Sequence, residues 1–156
     1  MKTTPHTPKG KVALQVIVMP RDLNHLGTLF GGTMLAYFDQ AGALCAMERC
    51  RSSVVLAGMN NSRFIMPAFV NDQLTIYAQI LKVGSTSMVV GLEAFRSHAP
   101  TGTMELAATA EMVYVAIGPD LKPHPVDRPA VRKAVARVKT PVRAAVKPRT
   151  KGAARR

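Results

Sequence analysis

Only one segment of this chain can form a long helix, and four strand-like segments follow it with no second helix between them. The helix is "GTMLAYFDQAGALCAMERCR", Gly32–Arg51. After it come Ser53–Ile65, Asp72–Val83, Thr86–Phe95 and Met104–Ile117, each rich in β-branched, apolar and aromatic residues and separated by Pro, Asn, Gly or Ser. Before it, "KVALQVIVMP" (Lys11–Pro20) reads as a strand stopped by Pro20. Arg21–Gly32, with three glycines and an Asn, reads as an ordered loop. Strands in unbroken succession are joined by hairpins, so the order dictates an α+β fold with one helix against one face of a mostly antiparallel sheet.

Charge divides the chain. Arg128–Arg156 carries 11 Lys or Arg and no acid, whereas Met1–Asp127 holds 10 basic residues against 9 acidic ones. We therefore divide it into an extension (1–10), a folded body (11–127) and a basic tail (128–156). The tail is built from Ala, Val, Pro, Lys and Arg, which bury too little apolar surface to offset ordering entropy. It is expected to be largely disordered, with a short helix near Pro129–Val138 at most. Weak, salt-dependent binding of polyanions and a purely solubilising role are both open to it. Near neutrality of the body counts against a dedicated nucleic-acid-binding protein.

Cys45 and Cys50, five residues apart, suit neither a disulfide framework nor a zinc site and read as thiols of a reducing compartment. The polar, Pro-bearing N-terminus has no signal-peptide core, and no apolar run reaches a membrane span of about 18 residues. A cytoplasmic protein is expected. His6, His25, His98 and His124 show no ligand spacing, so no metal is expected.

Asp39 is out of place. It is the only acid between Asp22 and Glu48, in a run of apolar and small residues. Its carboxylate must recover the lost hydration or shift its pKa. At 100° per residue, Gly32, Leu35, Ala36, Gly42, Ala43 and Ala46 fall within about 60° of it. Met34, Tyr37, Phe38, Leu44 and Cys45 lie opposite. The bulky side is expected to pack on the sheet, leaving a narrow face with room for a ligand or another chain. Capping a loop or pairing with an Arg would explain the acid equally well. Two features point to chemistry: Gly31-Gly32 open the helix with unpaired N–H groups at the positive dipole end, and Asn24 lies in the same loop. A carboxylate, N–H donors and an amide are the parts of an acyl-transfer site.

These residues resemble the signature of hotdog-fold acyl-CoA thioesterases of the acyl-CoA hydrolase subgroup. The matching positions in "NHLGTLFGGTMLAYFDQAG" are Asn24, Gly27, Phe30, Gly31, Gly32 and Asp39. "RFIMPAFVNDQL", "KVGSTSM" and "ATAEMVYVAIGPDLKPHPV" resemble its later turn, nucleotide segment and exit, so the likeness covers Lys11 to Val126. Asn71 stands where the family has Gly, a change that Asn tolerates because it accepts positive φ. Met66 replaces a basic residue found in many relatives.

The resemblance implies one long central helix wrapped by a five- or six-stranded antiparallel sheet. It implies a homodimer as the minimal active unit, with Asn24 of one chain facing Asp39 of the other, and assembly into a hexamer as a trimer of dimers. The implied reaction is hydrolysis of fatty acyl-CoA to acid and CoA, with no cofactor because CoA belongs to substrate and product. Asp39 would be general base or nucleophile, Asn24 would orient water or the carbonyl, and the backbone at Gly31 or Gly32 would hold the oxyanion. Gly84, Ser85, Thr86 and Ser87, with Lys82 and Arg63, are the candidates for the CoA phosphates, although the turn also reads as an ordinary hairpin. The rival is a non-catalytic acyl-CoA-binding hotdog module or sensor, associated with nucleic acid through the tail. Asp39 favours the enzyme, since such modules usually lack the helix acid.

Overall fold

The computed structural model describes residues 6–98 and 102–127. The elements run β1 (Lys11–Ile17), a 3₁₀ turn (Pro20–Asp22), α1 (Gly31–Cys50), β2 (Ser53–Phe64), β3 (Gln73–Val83), β4 (Ser87–Ser97) and β5 (Met104–Ile117). The strands form one antiparallel sheet in the order β1-β3-β4-β5-β2. The helix lies against one face and touches all five strands. The expected α+β arrangement is what the chain adopts, with five strands among the described residues. The tail, with its expected disorder and short helix, lies outside them.

Alternation builds the core. Met88, Val90, Leu92 and Ala94 of β4 and Ala108, Ala110, Met112, Tyr114 and Ala116 of β5 all turn their side chains inward and are almost fully buried. Residues between them face away from the helix. β1 ends earlier than expected, at Ile17, and Pro20 opens the following turn rather than closing the strand. Its fixed φ and missing N–H suit the first position of a helical turn. Asn71 adopts a φ of 69° in the turn before β3, so it does the work of the glycine it replaces.

The faces of α1 differ from the expectation. Its buried residues are Met34, Phe38, Ala41, Gly42, Ala46 and Cys50, whereas Leu44 is 48% exposed. The sheet curls around the helix and follows the i, i+4 stripe from Met34 to Cys50 rather than the bulkiest side. Gly42 and Ala46 therefore face the sheet instead of lining an open crevice. Small residues there let the backbone approach β5 closely. Three glycines and no side-chain cap make α1 a poor helix on propensity alone, so its wrapping by the sheet holds it.

β2 sits at one edge of the sheet. It is 12 residues long, mostly exposed, and shows apolar Val55, Leu56, Met59 and Phe64 to solvent. A long apolar edge strand with unpaired backbone groups is a template for another strand.

Candidate active site

The loop before α1 is closed by Asn24. Its N–H donates to the Thr28 carbonyl at 2.8 Å, and its own carbonyl accepts from Gly27 N–H at 3.1 Å. Its Oδ1 accepts from the N–H groups of Leu26 (2.8 Å) and Thr28 (3.2 Å), and its Nδ2 donates to Thr28 Oγ1 at 2.9 Å. The amide is thus fixed by its own loop and keeps one N–H for another acceptor.

The loop delivers the chain into the helix along a fixed path. Leu29 N–H donates to the Ala68 carbonyl and Phe30 N–H to the Asp22 carbonyl, each at 2.8 Å. Buried Asp22 accepts from Met19 N–H at 2.8 Å and from the Tyr37 side chain. Thr33 and Met34 both donate back to the Phe30 carbonyl. The N–H groups of Gly31 and Gly32 have no acceptor among the described residues. Beside them an apolar recess of about 360 Å³ is lined by Leu29, Gly31, Met34, Phe64, Met66 and Pro67. A side chain at Gly31 would project toward the Phe64 ring, so glycine keeps the helix start accessible. The result is a pair of open donors at the positive end of a 20-residue helix, next to space for an apolar group.

Asp39 lies two turns further on and is half-buried. It forms no ion pair among the described residues. Its visible partner is Tyr114 on β5, whose hydroxyl lies 3.2 Å from Asp39 Oδ1 and 2.9 Å from the Asp39 carbonyl oxygen. Burial, and then the negative charge of Asp39, push the Tyr114 phenol well above its ordinary range, so it remains a donor. Tyr114 pairs in register with Leu56 of the edge strand β2 and with Met88 of β4, so the carboxylate lies against β5, one strand in from the edge of the sheet. Sequence reasoning missed Tyr114. Its signal was the strict alternation of β5, which puts Tyr114 on the helix side with Met112 and Ala116.

Within one chain the helix start and the carboxylate stand apart. Gly31 and Asp39 are eight residues apart on a straight helix, about 12 Å at the usual rise per residue. No hydrogen bond joins Asn24 to Asp39 within the chain among the described residues.

The phosphate candidates separate into two places. In the β3–β4 turn, Gly84 N–H donates to the Ser87 carbonyl at 2.7 Å. The Thr86 and Ser85 carbonyls accept from Ala116 and Val126 N–H, each at 2.9 Å. The turn therefore holds the β5 end and the chain exit in place, while the hydroxyls of Ser85, Thr86 and Ser87 stay open among the described residues. Lys82 is exposed beside it. Arg63 is elsewhere: it pairs with Thr109, whereas Lys82 pairs with Val89 and, through it, Val113. Two strands, β4 and β5, and several residues along β5 divide the two cations. Arg63 lies on the outer face of the sheet, in a polar hollow of about 450 Å³ with Lys9, Gln79, Glu93 and Glu111.

Other polar clusters fasten the fold. Asp72 is buried and gathers Phe69 N–H, His98 and Arg96 around the turn before β3. Ser52 Oγ lies 2.7 Å from His124 Nε2, but that hydroxyl also donates to the Ile117 carbonyl, and His124 Nδ1 faces the Pro125 carbonyl rather than an acid. This pair straps the chain exit to the end of the helix. Cys45 and Cys50 are free, and burial pushes the Cys45 thiol up. No group of three His, Cys, Asp or Glu suited to a metal ion occurs among the described residues.

Residues 26–102 match the family model described as the thioesterase superfamily. The acyl-CoA thioester hydrolase YciA of Salmonella typhimurium is 34% identical over 128 residues, covering 80% of this chain and 96% of the relative. Among solved structures, the hexameric broad-specificity acyl-coenzyme A thioesterase HI0827, an aspartate-to-alanine mutant, is similar with a TM-score of 0.75 and 29% identity. That likeness covers 77% of this chain and 88% of the other. An asparagine-to-alanine mutant of a Staphylococcus aureus acyl-CoA hydrolase, in complex with coenzyme A, gives a TM-score of 0.69 at 29% identity over 72% of this chain and 67% of that one. An aspartate-to-alanine mutant of the same hydrolase is also similar. The two positions replaced in it lie fifteen residues apart, the separation of Asn24 from Asp39 here.

Proposed function

The chain belongs to the thioesterase superfamily and is an acyl-CoA thioester hydrolase, and we propose that its active site is built between two copies, with Asp39 as general base. The observation that carries this reading is the half-buried Asp39 carboxylate, without a cationic partner among the described residues, held against β5 one strand in from the sheet edge. The span of about 12 Å between it and the helix start supports a shared site, because donors and base reach one thioester only if they come from different chains.

Pairing of β2 with β2 of a second copy would continue the sheet and cover Leu56 and Met59. It would bring Asp39 of one copy toward Asn24, Gly31 and Gly32 of the other. The fifteen-residue spacing of Asn and Asp shared with the CoA-binding relative supports their joint role. Its hexameric relatives support a trimer of such dimers.

The steps follow from the groups. Asp39 removes a proton from water as the oxygen attacks the thioester carbon. The N–H groups at Gly31 and Gly32 stabilise the negative charge on the carbonyl oxygen, where the helix dipole also favours it. The free N–H of Asn24 Nδ2 orients the water or the carbonyl. Collapse breaks the C–S bond, and the proton held by Asp39 passes to the departing CoA thiolate. No cofactor enters these steps. The acyl chain would start in the apolar recess beside Gly31. Lys82 with the open hydroxyls of Ser85, Thr86 and Ser87 would meet phosphate oxygens; Gly84 shapes that turn, its N–H being committed to Ser87. Arg63 would serve only from a neighbouring copy. No helix among the described residues is long and apolar enough to cross a membrane.

Purified protein should release free CoA from acyl-CoA, and Asp39→Asn should lower kcat by about 10²–10⁴-fold with the oligomer intact. Turnover near wild type in that variant, measured by thiol release, would refute the assignment of the base.

A further inference from the structure

We infer that Tyr114 is a positioning residue for this hydrolysis: its hydroxyl, admitted by the gap at Gly42, holds the Asp39 carboxylate in one orientation. The inference rests on the reading of Asp39 as the base.

A buried tyrosine needs an acceptor for its hydroxyl, and a helix carbonyl alone would suffice. Tyr114 has that acceptor in the Asp39 carbonyl at 2.9 Å, yet the carboxylate Oδ1 also lies within reach at 3.2 Å. The single phenolic hydrogen is shared between backbone and side chain, which ties the carboxylate to its own peptide. The ring cannot yield, because Tyr114 is 0% exposed. Space for the hydroxyl exists only because residue 42 has no side chain. A Cβ there would stand 2.4 Å from the Tyr114 oxygen and 2.8 Å from the ring carbon that bears it. Gly42 and Tyr114 thus form a matched pair 72 residues apart in the chain.

The surroundings leave this contact dominant. Across the sheet Tyr114 faces Leu56 on β2 and Met88 on β4, both apolar. On its own strand Met112 Sδ lies 3.3 Å from the hydroxyl. From α1 the titratable group besides Asp39 that acts on the phenol is the Cys45 thiol, while the Ala43 backbone acts in the opposite sense. No Lys, Arg or His pairs with Asp39 among the described residues. Because burial and the neighbouring carboxylate raise the Tyr114 phenol, it keeps its proton and stays a donor to Asp39.

The test is Tyr114→Phe, which removes one oxygen and keeps the buried ring. kcat and KM are measured against pH on a short-chain acyl-CoA, beside wild type and Asp39→Asn, with thermal melting and sedimentation to verify fold and assembly. The plateau kcat of Tyr114→Phe should fall about three- to tenfold, with KM changed less than about twofold. A folded Tyr114→Phe protein with unchanged kcat, beside an inactive Asp39→Asn, overturns the inference and leaves the base assignment standing. Full activity in Asp39→Asn overturns both.

Discussion

At the scale of single residues, the site is a set of polar groups that the fold has left with spare capacity. Among the described residues Asp39 has no cation, Gly31 and Gly32 have open N–H groups, and Asn24 has one unused N–H. Gly42 shows how a residue without functional atoms can matter as much. Replacing it with Ala gains about 0.8–1.0 kcal/mol of helix propensity. The added methyl meets a Tyr114 hydroxyl and ring that have nowhere to go, and such overpacking costs typically about 1–3 kcal/mol. Gly42→Ala should therefore lower stability overall, seen as a lower denaturant midpoint with an unchanged slope. Asp39 and Gly31-Gly32 were legible in the sequence because each is anomalous among its neighbours. Tyr114 was not, because its partner is 75 residues away and a tyrosine in a strand is unremarked. The distance between Arg63 and Lys82 was hidden for the same reason: only strand order and register tell that two strands lie between them within one chain.

Elements explain what single residues do not. The order of one helix and successive strands was readable from segment lengths and alternation, and α1 and β5 fall within one residue of the expected bounds. Strand order was not readable. β2 follows the helix in sequence yet ends at the edge beside β5, and this position turns its apolar side chains into an association surface. The faces of α1 were misjudged because a helical projection shows which residues share a side, whereas the sheet's curl decides which side is covered. Met59→Lys tests the role of β2. Met59 pairs with Met112 and is 38% exposed in the single chain. A charge buried there on pairing should weaken dimerisation by about a hundredfold, read as dissociation in sedimentation velocity. An undisturbed oligomer would show that β2 lies outside the interface.

For the whole molecule, the charge asymmetry separates the body, which contains every proposed catalytic group, from the extension after Asp127. Val126 is anchored by hydrogen bonding to the β3–β4 turn, and Asp127 pairs with Arg49 at 2.8 Å, so the body is fastened before the basic sequence begins. The deepest consequence comes from the eight-residue interval along α1 between Gly31 and Asp39. In the proposed shared site, each protomer would hold half of two reaction centres and the whole of neither. Two crippled proteins, Asp39→Asn and Asn24→Ala, should consequently rescue one another when unfolded and refolded as a mixture. A hybrid dimer would contain one centre bearing both lesions and one bearing none. With random partnering, about a quarter of the centres are intact, and the mixture should recover about that fraction of native turnover.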